Sequence, residues 1–331
     1  MKKVIFALAA VVALAACSKE QTVVQPEREA IGFGTPFVEN STRAIDPSYN
    51  ANNLIKEFNV WGTVTGNTTG NTINLFNGAR VYDTTPTYGV AYDCEQDEYW
   101  LPSATYNFVA IAGHKDVTPT TGMPATISYT ADGTTDLIYT KTAKVVTTTA
   151  AATPSENPVE FAFNHLLSKV HFAFYNTSAT ADTVFQISDI KVWGQYTKGT
   201  YTIGATTPWA ATDTDTVAAN AAWSFGNATN STDNAAVAAD ITTAFTEASP
   251  MTSNYARLLI PGEQTLNISF TKTQFYNGVK MNTEPVEKKL THTFAENGAY
   301  VIKVELKSGG IIDFSVGSLE DWSNDTSISI P

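Results

Sequence analysis

The chain has 331 residues, a length at which one hydrophobic core usually stops growing, so two domains are the first expectation. Hydrophobic residues make up 43% of the chain and aromatic residues 11%, which is enough for two ordinary cores. The formal net charge of -12 at pH 7 argues against nucleic acid as a partner, because phosphates are bound by basic surfaces.

The N-terminal segment has the pattern of an export signal. A pair of lysines precedes the apolar run 4–14, which is far shorter than the roughly 20 residues of a membrane-spanning helix. The run ends in Leu14-Ala15-Ala16-Cys17, which resembles the lipobox of bacterial lipoproteins, where the thiol is acylated and the chain is cut before the cysteine. The alternative is an ordinary signal peptide cut after an Ala-x-Ala-like site. Residues 1–17 are predicted to be a lipoprotein signal peptide with its lipobox.

Acylation of Cys17, with palmitate-type chains, would hold the mature chain on a membrane. Cys94 is the only other cysteine, so no intramolecular disulfide is expected and stability must come from packing. The polar segment 18–26 lacks periodicity and suits a tether between lipid and fold.

The first strand signal follows this tether. Ile31, Phe33 and Phe37 fall on one alternating face, and the polar segment 39–43 ends the pattern. Residues 18–43 are therefore interpreted as a tether followed by one short strand.

Alternating apolar residues dominate the rest of the chain and predict antiparallel strands with one buried face. The clearest hairpin has strands at 300–306 and 312–316 around Ser308-Gly309-Gly310. No segment keeps helical spacing over ten residues. Other strand signals lie at 58–62, 106–111, 159–163 and 170–174.

The Thr- and Ala-rich stretch 145–158 contains two prolines and indicates a connection between domains, with the boundary near residue 155. The predicted domains are an N-terminal β-sandwich at 44–155 and a C-terminal β-sandwich at 156–331. The segment 206–246, rich in Ala, Thr, Asn and Asp, is expected to be a long excursion from the second domain.

Patterns that carry catalysis, metal binding or cofactor binding are missing from the sequence. His165 and His171 on one strand would lie about 20 Å apart at ~3.3 Å per residue, too far to share a metal ion. The acidic segment 93–98 lacks the glycine and the closing acidic ligand of a calcium loop. No enzymatic activity, metal site or cofactor is expected. A tryptophan in a sandwich is more often core than a sugar-stacking surface, and the chain has Trp61, Trp100, Trp193, Trp209, Trp223 and Trp322.

Several segments, in order, resemble the fimbrillin family, the lipoprotein-derived subunits of protease-assembled (type V) pili, including its Mfa-like and FimA-like members. The strongest match is Val159-Glu160-Phe161-Ala162-Phe163-Asn164-His165-Leu166-Leu167-Ser168-Lys169-Val170. The other matches are the lipobox, Ile31-Gly32-Phe33 leading into Ser41-Thr42-Arg43-Ala44, Phe58-Asn59-Val60-Trp61-Gly62, Tyr99-Trp100-Leu101-Pro102 with Tyr106-Asn107-Phe108-Val109-Ala110, Asp136-Leu137-Ile138-Tyr139, and 300–322.

The resemblance implies two tandem transthyretin-like antiparallel β-sandwiches and a specific assembly mechanism. An N-terminal strand completes the first sandwich until an arginine-specific protease removes it, and a strand of the next subunit then fills the groove. On this sequence the removable strand is about 30–37 and the scissile bond is Arg43-Ala44, unless Arg43 only ends a polar loop. A cut at Arg28 would leave the strand in place.

The C-terminus offers a donor strand, because Ile328 and Ile330 alternate with serines, although the tail would equally well fray. The resemblance implies an outer membrane lipoprotein displayed on the cell surface in a fimbrium with a role in adhesion. Its partners would be other fimbrial subunits in a homo- or hetero-polymer, the protease, the outer membrane and a host glycan or protein ligand. The alternatives are a glycan-binding surface lipoprotein that does not polymerise and a lipid-retaining fimbrial anchor or tip protein.

Overall fold

A computed structural model of the chain describes residues 28–38, 55–66, 70–84, 92–113, 122–140, 143–211, 215–229, 237–307 and 312–319. Their regular structure is β-strand apart from one 3₁₀ turn, Ala219–Ala221, so the prediction of an all-β chain is confirmed. The strands are β1 Phe37–Val38, β2 Glu57–Gly66, β3 Thr72–Asp83, β4 Tyr92–Cys94, β5 Ala104–Ala112, β6 Thr126–Thr130, β7 Ile138–Tyr139, β8 Lys144–Thr147, β9 Ala162–His165, β10 Ser168–Asn176, β11 Thr183–Trp193, β12 Lys198–Thr202, β13 Trp209–Ala211, β14 Trp223–Gly226, β15 Ala228–Thr229, β16 Met251–Ser253, β17 Arg257–Leu259, β18 Gly262–Tyr276, β19 Val279–Phe294, β20 Ala299–Leu306 and β21 Ile312–Leu319.

The first sheet has the order β1-β9-β7-β5-β2-β3-β4, and β8 also pairs with β5. Alternation along β2 and β5 directs one set of side chains into an aromatic core with Phe58, Tyr106 and Phe108. The opposite set, which includes Trp61 and Ile111, packs into a separate cluster on the other face. Both faces of the central strands are therefore buried.

Two further sheets enclose the second large core. One has the order β15-β16-β10-β20-β21 with β17 also paired to β10, and the other has the order β14-β11-β18-β19. Phe172 and Phe174 from β10 and Ile302 from β20 pack against Ile187 from β11 and Ile268 from β18. Two sheets that share an apolar interior in this way form a β-sandwich.

The predicted C-terminal hairpin is confirmed, since β20 and β21 pair antiparallel from Ala299↔Leu319 to Leu306↔Ile312. The other described strand pairs, two excepted, are antiparallel as well, as predicted from the alternating pattern. Two pairs differ from that expectation, because β1 runs parallel to β9 and β10 runs parallel to β20. Every residue of β10 is buried, as is typical of a strand covered on both faces.

Strand pairing crosses the predicted domain boundary near residue 155 in two places. β9 follows that boundary but pairs with β1 and β7 of the first sheet. β6 precedes the boundary but pairs with β12 in a three-stranded sheet with the order β13-β12-β6. The division into 44–155 and 156–331 stays a prediction, and the pairing of β9 favours a boundary after His165.

Part of the Ala- and Thr-rich segment 206–246 contributes to the fold. Its described residues include β13, β14 and β15, and Phe225 and Ile241 lie in the second core. Ile241 also exchanges backbone hydrogen bonds with Phe185 at 3.2 and 2.7 Å. The described part of this segment therefore packs against the second sandwich.

Candidate functional site

The segment 29–34 lies between two stretches of chain that border the aromatic core of the first sheet. On one side, Ile31 N donates to Glu98 O (2.9 Å) and Trp100 N donates to Glu29 O (3.1 Å). On the other side, Val159 N donates to Gly32 O (2.8 Å) and Gly34 N donates to Val159 O (2.9 Å). We call the position between 98–100 and 157–159 the strand site. A segment bonded on both sides fills an internal position rather than an open edge.

Phe33 fills the centre of the first core. Its ring stacks on Phe161 at 6.0 Å between centroids and meets Phe76 edge-on at 5.5 Å. Phe58 and Phe108 also contact it edge-on. Because aromatic pairs in these geometries add to the free energy of burial, Phe33 anchors the segment.

The neighbouring side chains alternate in the way that the sequence predicts. Ile31 is 6% exposed and Phe33 is 5% exposed, whereas Ala30 between the tether and Ile31 faces solvent. The backbone of Phe37 continues the segment into β1, where it pairs with Ala162. The side chain of Phe37 lies outside the described part of the structure.

Asn157 holds the segment through its side chain. Its Oδ1 accepts a hydrogen bond from Gly32 N at 2.9 Å, and its Nδ2 donates to Ala30 O at 3.2 Å and to Glu29 Oε1 at 2.8 Å. The amide thus bonds to backbone and side-chain atoms 125 to 128 positions earlier in the chain. Sequence reasoning missed this residue, and its only local signal is the turn-forming Asn-Pro dipeptide.

Gly34 lies where the segment passes closest to its neighbours. A Cβ at this position would stand 2.9 Å from Glu160 Cγ and 3.3 Å from Pro158 Cγ. A larger residue would therefore push the segment away from the strand site. The glycine permits the close approach.

Other sequence-predicted site residues lie outside the described part of the chain. They are the lipidation residue Cys17, the cleavage residues Arg43 and Ala44, and the donor residues Ile328 and Ile330. Arg28 is described and exposed, and it directly precedes the segment in the strand site.

His165 and His171 lie on different strands, β9 and β10, so the separation expected for two residues of one strand does not apply to them. His165 Nδ1 bonds the buried carboxylate of Asp136, whose Oδ1 also accepts from Leu137 N at 2.8 Å. The pair thus links β9 to the start of β7. Among the described residues, no group of three or more His, Cys, Asp or Glu side chains is arranged to hold a metal ion.

Cys94 has a free thiol, and burial raises its pKa to about 11. A thiol with such a pKa stays protonated at neutral pH and is a weak nucleophile. In the part of the chain that the structure describes, no helix is long and apolar enough to span a membrane.

The chain is an all-β sandwich protein in which the extended segment 29–34 is embedded in an aromatic core. The sequence model of the fimbrillin-like family matches residues 42–322, and the chain belongs to this family. The chain is therefore a non-enzymatic fimbrial protein of the cell surface, whose partners are other fimbrial subunits. A comparison with curated proteins found no match.

Solved structures with a similar fold include a fimbrial protein from Bacteroides vulgatus, with a TM-score of 0.58 and 14% identity over 89% of this chain and 99% of that one. A candidate cell adhesion protein from Bacteroides uniformis has a TM-score of 0.46 and 13% identity over 90% and 99% of the two chains. A fimbrial assembly protein from Parabacteroides distasonis has a TM-score of 0.40 and 12% identity over 88% and 97%. The first of these shows a shared fold.

Proposed function

We propose that the chain is a structural subunit of a protease-assembled fimbria. In this proposal residues 28–38 occupy the strand site until cleavage at Arg43-Ala44 releases them, and a strand from a neighbouring subunit then takes their place. The observation that carries the proposal is the burial of Ile31 and Phe33 between two hydrogen-bonded stretches of chain.

The apolar contacts make the exchange energetically significant. Fully burying a side chain of this size contributes roughly 1.5 to 3 kcal/mol, so Ile31 and Phe33 together contribute about 3 to 6 kcal/mol. Losing the segment would expose this apolar surface and leave the backbone groups of residues 98–100 and 159 without their partners. A donor strand must offset an association cost of about 4 to 15 kcal/mol, so several of its side chains must pack into the strand site at the same time.

The position of the cleavage site explains why proteolysis would control assembly. Arg43 follows β1 in the chain, and the described fold resumes at Ile55. A cut between Arg43 and Ala44 would leave the segment held only by non-covalent contacts. A cut at Arg28 would leave it covalently joined to the remainder of the first sandwich.

Lipidation of Cys17 is the export step of the proposal. Each methylene group that an acyl chain buries in a bilayer contributes roughly 0.8 kcal/mol to membrane binding. Two or three chains would therefore hold the precursor on the outer membrane. Cleavage at Arg43-Ala44 would separate the mature subunit from this lipid. Export, activation and assembly are then linked by one short N-terminal region.

The C-terminal tail is the proposed donor. Ile328 and Ile330 alternate with Ser327 and Ser329, so the two isoleucines would point to one face of an added strand. That spacing matches the spacing of Ile31 and Phe33 on the strand that they would replace. Strand addition of this kind obtains affinity from backbone hydrogen bonds and specificity from alternate side chains.

The proposal is tested by treating the purified full chain with an arginine-specific protease and following its assembly by gel electrophoresis and electron microscopy. Wild-type protein is expected to form an ordered ladder of multimers. Arg43→Ala is expected to stay monomeric, and the matched control Arg28→Ala is expected to assemble like wild type. Intact wild-type monomers after treatment would contradict the proposal and favour a lipid-retaining anchor or a module that does not polymerise.

A further inference from the structure

A cavity of about 570 Å³ opens beside the three-stranded sheet β13-β12-β6. It is separate from the strand site, and its volume falls within the range of small-molecule sites in proteins. Aromatic rings form its apolar part, and hydroxyl groups and one carboxylate form its polar part. The aromatic residues are Tyr139, Tyr201, Trp209 and Phe294.

The pairing of β12 with β13 places two of these rings together. Tyr201 and Trp209 lie directly opposite each other in the antiparallel ladder, and their ring centroids are 5.5 Å apart. Trp209 Nε1 donates to Leu166 O at 2.9 Å, which fixes the orientation of the indole. Tyr139 from β7 lies with its ring centroid 6.3 Å from that of Tyr201. The aromatic wall is therefore preorganised.

Polar groups face the same space. No hydrogen bond from another described residue reaches the phenol oxygen of Tyr139 or Tyr201, although both residues are at least nine-tenths buried. Burial, followed by the nearby charge of Glu296, raises the pKa of Tyr201 to about 12, so its hydroxyl keeps its proton at neutral pH. Thr206 and Thr207 also line the cavity.

The turn that carries Glu296 is held rigidly. Ala295 N donates to Tyr300 Oη at 2.8 Å, and Ser168 Oγ donates to Ala295 O at 2.7 Å. Asn297 N donates to Leu167 O at 3.0 Å. A carboxylate on a fixed turn can accept hydrogen bonds from a ligand without a large loss of conformational entropy.

We propose that this cavity binds a neutral saccharide, with a pyranose ring packed against the wall of Tyr201 and Trp209 and its hydroxyls bonded to the phenols and to Glu296. A pyranose presents an apolar C–H face and a rim of hydroxyl groups that both donate and accept, which matches the division of the lining. A subunit with this site would attach a fimbria to a carbohydrate-coated surface.

The charge and the donor set distinguish this ligand from ionic ones. An anion would face the Glu296 carboxylate on a chain of net charge -12. A quaternary cation would suit the rings and the carboxylate, but it has no acceptor for the phenol hydroxyl protons. A polyhydroxylated neutral ligand offers acceptors to the phenol hydroxyls and donors to the Glu296 carboxylate.

The test is isothermal titration of the purified full chain with the methyl pyranosides of glucose, galactose and mannose, and with N-acetylglucosamine and lactose. At least one of these saccharides is expected to bind. Tyr201→Phe removes one hydroxyl but keeps the ring, and Glu296→Gln removes the charge but keeps the size. Each is expected to weaken binding by about three- to tenfold, the range of a single hydrogen bond.

Matched controls are Tyr276→Phe and Glu287→Gln, which alter exposed residues of the β18–β19 hairpin and are expected to bind like wild type. Melting temperatures show whether each variant is folded. The inference is overturned if no saccharide of the panel binds, if Tyr201→Phe and Glu296→Gln bind as tightly as wild type, or if tetramethylammonium binds in place of the sugars. Because the assay uses uncut monomer, its outcome is independent of donor-strand exchange.

Discussion

At the scale of single residues, Phe33 makes the aromatic contacts that the exchange mechanism would use. Four aromatic rings surround it, and all of them belong to the core of the first sheet. The alternation of Ile31 and Phe33 in the sequence was enough to predict an inward face. The sequence contained no signal for which rings would receive it, because the strands that carry these rings are distant in the chain.

Phe33→Ala is expected to destabilise the first sandwich by about 3 to 5 kcal/mol, since it removes a buried ring and leaves a cavity in a core that collapses only in part. Chemical denaturation followed by aromatic fluorescence measures this loss in the free energy of unfolding. Ala30→Ser, on the exposed face of the same segment, is the control and is expected to change stability by less than about 0.5 kcal/mol. Equal stability of Phe33→Ala and wild type would show that the ring does not anchor the segment.

Asn157→Ala removes three hydrogen bonds to the segment and leaves the Gly32 N–H without its side-chain acceptor. The free energy of unfolding is expected to fall by about 1 to 3 kcal/mol, the penalty for an unsatisfied polar group near the protein interior. Hydrogen exchange of the peptide covering residues 28–36 is expected to speed up more than exchange of the second sandwich. Asn220→Ala, an exposed residue in the 3₁₀ turn, serves as the control, and similar exchange in both variants would contradict the assigned role.

At the scale of elements, the β18–β19 hairpin exposes an edge strand that carries several charged residues. Lys272 on β18 is 2% exposed, and its Nζ contacts Glu284 Oε1 on β19 at 2.6 Å. The same ammonium group lies 6.0 Å from the centroid of the Phe185 ring. Charged side chains along an edge discourage uncontrolled pairing with other chains. Strand addition would therefore be directed away from this edge.

The pairing of Lys272 with Glu284 makes part of the stability depend on pH. The hydrogen bond from Lys272 holds the pKa of Glu284 below its ordinary value of 4.5. A carboxylate with a depressed pKa contributes stability above its unfolded-state pKa and loses that contribution as the pH falls through the folded-state value. Glu284→Gln is therefore expected to lose less stability than wild type between about pH 5 and pH 3 in thermal melts.

The control for that titration is Glu287→Gln, on the same strand, which is expected to keep the pH profile of wild type. A Glu284→Gln variant with the wild-type pH profile would contradict the role of the ion pair. At neutral pH the same substitution is expected to destabilise the hairpin, because it leaves the buried ammonium of Lys272 without its counter-charge.

Local elements were predictable from the sequence where both partners are near in the chain. The β20–β21 hairpin follows from alternation and an intervening glycine pair, and both strands pair as expected. The parallel pairing of β10 with β20 was not predictable, because it joins strands about 130 positions apart whose apolar patterns fit either direction. The pairing of β6 with β12 across the predicted domain boundary was not predictable either, because these two strands are also distant in the chain.

At the scale of the whole molecule, the N-terminal region would control export, stability and assembly together. The family assignment establishes a fimbrial protein, and its described residues form an all-β fold. The proposed mechanism adds that the precursor is kept inactive by its own first strand, and that the mature subunit is a sandwich with a vacant internal position. The cavity proposed to bind a saccharide shares no lining residue with the strand site.

The most direct test of this account is the N-terminal sequence of the protein in fimbriae isolated from the cell surface. The account predicts that assembled subunits begin at Ala44 and lack residues 28–38. Assembled subunits that still contain Ile31 and Phe33 would contradict it, because the strand site would then be occupied and could not accept a neighbour.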